Sequence, residues 1–224
     1  MEIWLDNDAI DKQFKQIISQ IRLFKNGEVS ASMELHGIHY SMNWGVPLVT
    51  LRDIAAAYPH SHVLALKLWN RQWRETMILA TLLDEPDKVS EQQMDFWTKS
   101  FDNSEIAEQA SANLWCRIPF AYAKAMEWCR GKKHWVHYTA IHLAGRLALT
   151  DKTSPDEMFE IFFEEFLTLA RDPALSTVLY RTLMQWAGRS DYLKDCIREW
   201  LVLLKTQGQE SCSALAIEVE KGLP

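Results

Sequence analysis

The sequence predicts an all-α fold in which amphipathic helices follow one another, pair, and stack side by side into a curved solenoid. Three observations predict it. Apolar residues return at three- and four-residue steps along nearly the whole chain, the period of a helix with one buried face. Glycine, proline or a capping Asn, Asp or Ser interrupts that period at intervals of roughly ten to eighteen residues, the ordinary length of a helix. Strand signals are absent: no alternating β-branched run occurs, and no Asn-Gly turn joins two such runs.

The elements follow in order. Ile10, Phe14, Ile17, Ile18, Ile21 and Phe24 share one face of an opening helix, which Asn26-Gly27 stops. Val63 to Trp69 form a second, and Trp73, Met77, Ala80 and Leu83 a third, closed at Asp84-Glu85-Pro86 because proline cannot continue a helix. Met94 and Trp97 mark the next, ending near Phe101. Asp102-Asn103-Ser104 is a good cap for the helix of Ile106, Ala107, Ala110 and Leu114. Pro119 suits the first turn before Ala121 to Cys129, and Gly131 breaks the chain before Trp135 to Leu149. Thr153-Ser154-Pro155 opens Met158 to Ala170, and Asp172-Pro173 opens Leu175 to Ala187. Tyr192 to Leu204 and Ser213 to Val219 complete the series. Helices this short and this similar favour a HEAT-like repeat superhelix with a concave groove over a closed bundle.

Length and composition agree. The 224 residues suit a single domain over 1–224, and 48% hydrophobic with 24% charged residues is ordinary for a soluble globular protein. No apolar run nears the ~18 residues of a membrane span. Met1 to Asp11 carry Glu2, Asp6, Asp8 and Asp11 ahead of the first lysine, the reverse of a secretory signal, so a cytoplasmic protein, acting as a monomer, is expected. Cys116, Cys129, Cys196 and Cys212 form no CxxC pair and read as reduced thiols. A zinc site from Cys116, Cys129, His134 and His137 would start from ligands too far apart for the usual close pairing, and no metal or cofactor is expected.

The net charge of −6 argues, taken whole, against a nucleic-acid partner. The charge is uneven, however. Arg117, Lys124, Arg130, Lys132, Lys133 and Arg146 face a single acid, Glu127, within one stretch, with His134, His137 and His142 interspersed. Arg130-Gly131-Lys132-Lys133-His134 sits where a helix begins, and the amides of a helix N-terminus attract anions such as phosphate. The plain alternative is a solvated basic turn. Ten tryptophans, Trp4 and Trp44 among them, are the compositional outlier; most must fill the core, but one on a basic surface could stack on a base. No phosphate-binding glycine loop, GxSxG elbow or HExxH is present, so nothing favours a small-molecule enzyme.

Several segments together carry a resemblance. Asn43-Trp44-Gly45-Val46-Pro47-Leu48, Leu51-Arg52-Asp53-Ile54-Ala55, Leu64-Ala65-Leu66-Lys67-Leu68-Trp69, Arg74-Glu75-Thr76-Met77-Ile78-Leu79-Ala80, Trp135-Val136-His137-Tyr138-Thr139-Ala140-Ile141 and Leu183-Met184-Gln185-Trp186-Ala187 resemble, in order and spacing, the DNA alkylation repair family of AlkD-like HEAT-repeat glycosylases. The resemblance implies double-stranded DNA, alkylated or not, as partner. It also implies excision of cationic N3- or N7-alkylpurines, with a carboxylate and aromatic faces stabilising the oxocarbenium sugar. It further implies Glu108 as the carboxylate, in place of an aspartate, and Trp186 as a groove aromatic. Ser104 stands where the family has tryptophan, one turn from Glu108 on the same helical face. His137 and Tyr138 stand where it has arginine. Lys132, Lys133, His137, Tyr138, Arg146, Arg181 and Arg189 are the candidate DNA contacts. The alternative function is a non-catalytic helical-repeat module that binds DNA structures or a protein partner.

Overall fold

The structure, a computed structural model, describes residues 8–223; Trp4, Glu2 and Asp6 lie outside the described residues. These form thirteen α-helices joined by short turns and four 3-10 segments, with no strand among the described residues. They divide into two compact units, one ending at Ile118 and one starting at Pro119.

The first unit holds α1 (Asp8–Leu23), α2 (Gly27–Leu35), α3 (Leu48–Ala56), α4 (His62–Trp69), α5 (Arg74–Leu83), α6 (Glu91–Lys99) and α7 (Ser104–Asn113). Ser61 and Ser90, which the sequence reading did not single out, cap α4 and α6 by accepting the amides of Leu64 and Gln93. Asn103 accepts the amide of Ile106 at 3.2 Å. α5 is the axis of this unit, with nine of its ten residues buried. α3, α4 and α7 pack against it. Beside α5, Trp69 stacks on Trp97 with ring centroids 3.9 Å apart and planes 4° from parallel, and Trp115 closes the row at 5.6 Å from Trp97. Stacked indoles of this kind add to the large area they bury.

Two charges begin the buried α5. Arg74 donates through Nε and Nη2 to the two oxygens of Glu105, each at 2.8 Å, and through Nη1 to Val46 O at 2.8 Å and Glu75 Oε1 at 3.2 Å. Glu75 accepts the amides of Trp44 (3.1 Å) and Val46 (3.3 Å), and Tyr40 donates its hydroxyl to Glu105 at 2.9 Å. Burial pulls the Arg74 guanidinium down, but the bonds and charges of Glu105 and Glu75 outweigh it and raise its pKa. Burial, and then the Glu105 charge, keep the Tyr40 hydroxyl protonated. The chain reaches this knot through Gly45 at φ +69, where a Cβ would lie 2.0 Å from Asn26 O; only glycine fits.

The second unit holds α8 (Ala121–Cys129), α9 (His134–Thr150), α10 (Ile161–Leu169), α11 (Ser176–Ala187), α12 (Asp191–Lys205) and α13 (Glu210–Gly222). α9 packs against both α8 and α11. The α9–α11 approach is close because residue 145 is glycine: a Cβ there would meet Gln185 Oε1 at 2.2 Å and Thr182 Oγ1 at 2.9 Å. Across that contact Thr182 donates to Ile141 O at 2.9 Å.

Two helices differ from the sequence expectation by being there at all. α2 buries none of its residues, so it has no apolar stripe to read; it is begun by Asn26, whose side chain accepts the amides of Glu28 and Val29. α3 is short, and its N-cap, Pro47, contributes no side-chain bond. The expected helices opening near Met158 and Leu175 each begin instead with a 3-10 turn, at Asp156–Phe159 and Pro173–Leu175.

The segment between α9 and α10 is tied by its own side chains. Asp151 accepts from Thr153 N (2.9 Å), Ser154 N (3.0 Å), Ser154 Oγ (2.5 Å) and Tyr122 Oη (3.2 Å). The Ser154 hydroxyl above all, then the two amides, hold its carboxyl well below the usual carboxylate range.

Arg74→Met leaves Glu105 and Glu75 buried without their cation and is expected to cost about 3–5 kcal/mol in denaturant unfolding. Lys205→Ala, at the exposed Lys205–Glu220 pair, is expected to cost less than about 1 kcal/mol. Because the folded Asp151 pKa lies below its unfolded value near 4, its contribution is present at neutral pH and disappears as pH falls through the acid range. Asp151→Asn should therefore melt earlier than the parent at pH 7, and thermal melts should show the two drawing together progressively as pH falls below about 5.

Candidate nucleic-acid interface

The basic turn before α9 is built by the backbone around Gly131, whose Cβ position lies 3.0 Å from Trp128 O and 3.2 Å from a Val136 methyl. His137, one turn into α9, fastens it: its Nε2 lies 2.9 Å from Gly131 O. Lys132 and Lys133 are exposed there, with Lys133 as the N-cap residue, while the half-exposed Trp135 packs edge-on against His134 at 4.8 Å and Tyr138 at 5.5 Å. The turn thus offers two lysines, an indole edge and the positive end of a seventeen-residue helix on one surface.

Not every cation of the basic stretch is offered outward. Lys124 is buried and donates to Glu127 at 2.6 Å. Arg130 donates to Glu165 at 2.6 Å. Arg146, farther along α9, is half-exposed, and its buried Nε has no hydrogen-bond partner. Arg181 is exposed on α11, the helix packed against α9. The second unit therefore brings Lys132, Lys133, His137, Tyr138, Arg146 and Arg181 onto two adjoining helices and the turn that starts one of them.

Three of the candidate residues lie inside the unit. Trp186 does not present a face to solvent: it is fully buried, stacked on Phe166 at 5.3 Å and edge-on to Phe159 and Phe163, and it donates its indole N–H to Ala144 O at 3.1 Å. A core of four phenylalanines surrounds it, and its polar atom is already satisfied. Arg189 is spent inside the unit. It donates to Asp156 and Ser154 O, each at 2.6 Å, to Ala148 O at 3.2 Å and to Asp151 O, and lies 5.0 Å above the Phe159 ring. Its four bonds clamp the segment between α9 and α10 rather than reaching a ligand. Tyr138 is buried against Trp135, so its ring supports the turn from below.

Glu108 lies in the first unit, half-exposed on α7, with the half-exposed Ser104 a turn before it. The carboxylate stays at the surface; the neighbouring position has no aromatic ring. The sequence reading missed the Arg74–Glu75–Glu105 knot. Its signal was present in Arg74-Glu75 opening the otherwise apolar run Met77-Ile78-Leu79-Ala80, where two charges are tolerable only if paired. Among the described residues no three His, Cys, Asp or Glu side chains gather as a metal would require. Burial pushes the Cys129 thiol up to about 12. No described helix is long and apolar enough to cross a membrane.

Comparison with known proteins places this arrangement. A solved structure described as a new family of proteins related to the HEAT-like repeat DNA glycosylases, with affinity for branched DNA structures, is similar to this chain with a TM-score of 0.72. The likeness covers 94% of this chain and 95% of that one at 14% identity, and it establishes the HEAT-like repeat fold. No curated protein matches the chain significantly. The family model of the DNA alkylation repair enzyme matches residues 17–168, which include α5, the knot at its start and the basic turn before α9. The chain belongs to the DNA alkylation repair enzyme family.

Proposed function

We propose that this protein binds DNA in alkylation repair by recognising the shape of the substrate, a branched or otherwise distorted duplex, rather than by excising a base. One observation carries the choice: the aromatic that the resemblance assigns to the groove, Trp186, is sealed in a phenylalanine core, and Ser104 stands beside Glu108 where that family has a tryptophan. Release of a cationic purine needs a carboxylate near the sugar and aromatic faces against the developing charge. Glu108 supplies the first, and neither residue supplies the second.

Binding is a smaller demand. Family membership and the affinity for branched DNA described for the structural neighbour support it. So do Lys132 and Lys133 at the α9 N-terminus, with Arg146 and Arg181 on the same pair of helices. Phosphates are met by such groups without any reading of base sequence. The partner is then double-stranded DNA with a junction or bend.

A second reading rests on the half-exposed Glu108 carboxylate. A glycosylase of alkylpurines would use it to stabilise the oxocarbenium ion, and Glu108→Gln would abolish release of 7-methylguanine or 3-methyladenine while leaving binding intact.

In fluorescence anisotropy the full-length protein is expected to bind a four-way junction more tightly than a blunt duplex of equal length. Lys132→Ala/Lys133→Ala should lower both affinities and reduce the slope of log K against log salt by about 0.9 per lost phosphate contact. Methylated DNA incubated with excess protein should release no base. Base release that Glu108→Gln removes would establish the second reading instead, and no binding at low salt would end both.

A further inference from the structure

The first unit carries a second meeting of cations and aromatic rings, on a surface the sequence resemblance does not assign. Trp44 and Trp73, both half-exposed, lie with ring centroids 4.8 Å apart and planes inclined by 46°. Three exposed cations stand over them. Lys25 Nζ is 4.0 Å and Arg22 Cζ 6.0 Å from the centre of Trp44, and Arg71 Cζ is 4.2 Å from the centre of Trp73. Among the described residues none of the three forms an ion pair with a carboxylate, although the chain has thirty acids against twenty-four lysines and arginines.

The rings are held, not loosely packed. The Trp44 amide donates to the buried Glu75, and its carbonyl accepts the Asn26 amide at 2.8 Å. Trp73 follows Gln72, which adopts φ +56, a left-handed conformation costly for a residue with a Cβ. Ser41 donates to Gln72 O and the Gln72 side chain donates to Trp69 O, each at 2.7 Å, and together these bonds hold that turn. Backbone strain is thus maintained where its result is to set one indole beside another at the surface.

We infer that the Trp44–Trp73 pair with Lys25, Arg22 and Arg71 is a binding platform for an unpaired nucleotide strand. The inference rests on the DNA-binding reading above and deepens it. A cation above a solvent-facing ring is held only weakly there. A phosphate draws such a cation more strongly, as a charge-assisted partner. When the lysine and arginine turn to consecutive phosphates, the ring faces they covered become open to a base, which stacks on an indole whatever its sequence. Bases inside a duplex hide their faces, so only a flap, gap or branch point supplies both groups at once. The platform would then distinguish a branched substrate from a plain one.

The test uses the full-length protein, fluorescent oligothymidylate, a duplex bearing a short oligothymidylate flap, and the same duplex blunt. The parent protein should prefer the flap duplex. Lys25→Gln/Arg71→Gln should weaken flap and oligothymidylate binding about ten-fold and lower the salt slope by about 0.7 for each lost contact, leaving the blunt duplex unchanged. Trp73→Leu should weaken the same two ligands about ten-fold with the salt slope unaltered. The Trp73 hydrogen bonds in this structure are made by its backbone, so the variant keeps them; matching thermal melts check this, and Trp44→Leu serves if it does not fold. Equal losses for flap and blunt duplexes, or none for the flap, overturn the platform while the DNA-binding reading stands. Polyglutamate binding that these substitutions remove, with no oligothymidylate binding, overturns it in favour of an acidic polypeptide. A parent protein that binds no DNA at low salt overturns both.

Discussion

The constraint on which the first unit depends is that Arg74 cannot be buried alone. Its guanidinium sits at the mouth of a helix with almost no exposed surface, where an uncompensated charge would be worth several kcal/mol against folding. Two oxygens of Glu105 meet it in a fork, the geometry that suits a guanidinium best. Glu75, also buried, is held by backbone amides from the 44–46 segment. The knot therefore joins three parts of the chain distant in sequence: the segment before α3, the start of α5 and the start of α7. Each gives up a buried polar group only because the other two complete it. The same knot fixes Trp44 and, one residue before Arg74, Trp73, so a structural solution in the interior dictates what stands at the surface.

This changes what the family resemblance means. Asn43 to Leu48 and Arg74-Glu75, two of the segments that carry it, are the parties to this ionic knot. They mark a scaffold, and a scaffold does not carry a reaction with it. Of the residues the resemblance puts forward, Trp186 keeps the family's type but is buried, and the others differ: Ser104 for an aromatic, Glu108 for a shorter acid, His137 and Tyr138 for an arginine. The family is legible in the bonds that fold the chain, while several of the positions the resemblance assigns to a cationic sugar carry other residues. Recognition of DNA shape needs only the part that is kept together with surface cations, and for that reason it is the function proposed.

Most of the helices that bury a stripe were legible. α1, α4 to α7 and α9 all show the period, and the cap at Asn103 was readable because a side-chain oxygen before an apolar run has one obvious use. α2 was not legible because it buries nothing, and α3 because Pro47 offers no cap bond. Burial of one tryptophan among ten is a different kind of question. Whether Trp186 faces a groove or a core is decided by Phe159, Phe162, Phe163 and Phe166, residues from another stretch of chain whose convergence no local pattern reports. The half-exposed Trp44–Trp73 pair escaped for the same reason, its two rings lying on opposite sides of α3 and α4 in sequence.

Charge is where a count along the chain misleads most, in both directions. The basic stretch that stood out in the sequence spends Lys124 on Glu127 and Arg130 on Glu165, and Arg189, expected to touch DNA, clamps a turn. Meanwhile Arg22, Lys25 and Arg71, scattered in a part of the chain where acids outnumber bases, stand around one pair of rings and form no ion pair with a carboxylate among the described residues. A net charge of −6 therefore sets the far field of the molecule and leaves its contact chemistry open. At physiological salt that far field is screened within about 8 Å. What an approaching phosphate meets is the local inventory of cations left over after the fold has used its share.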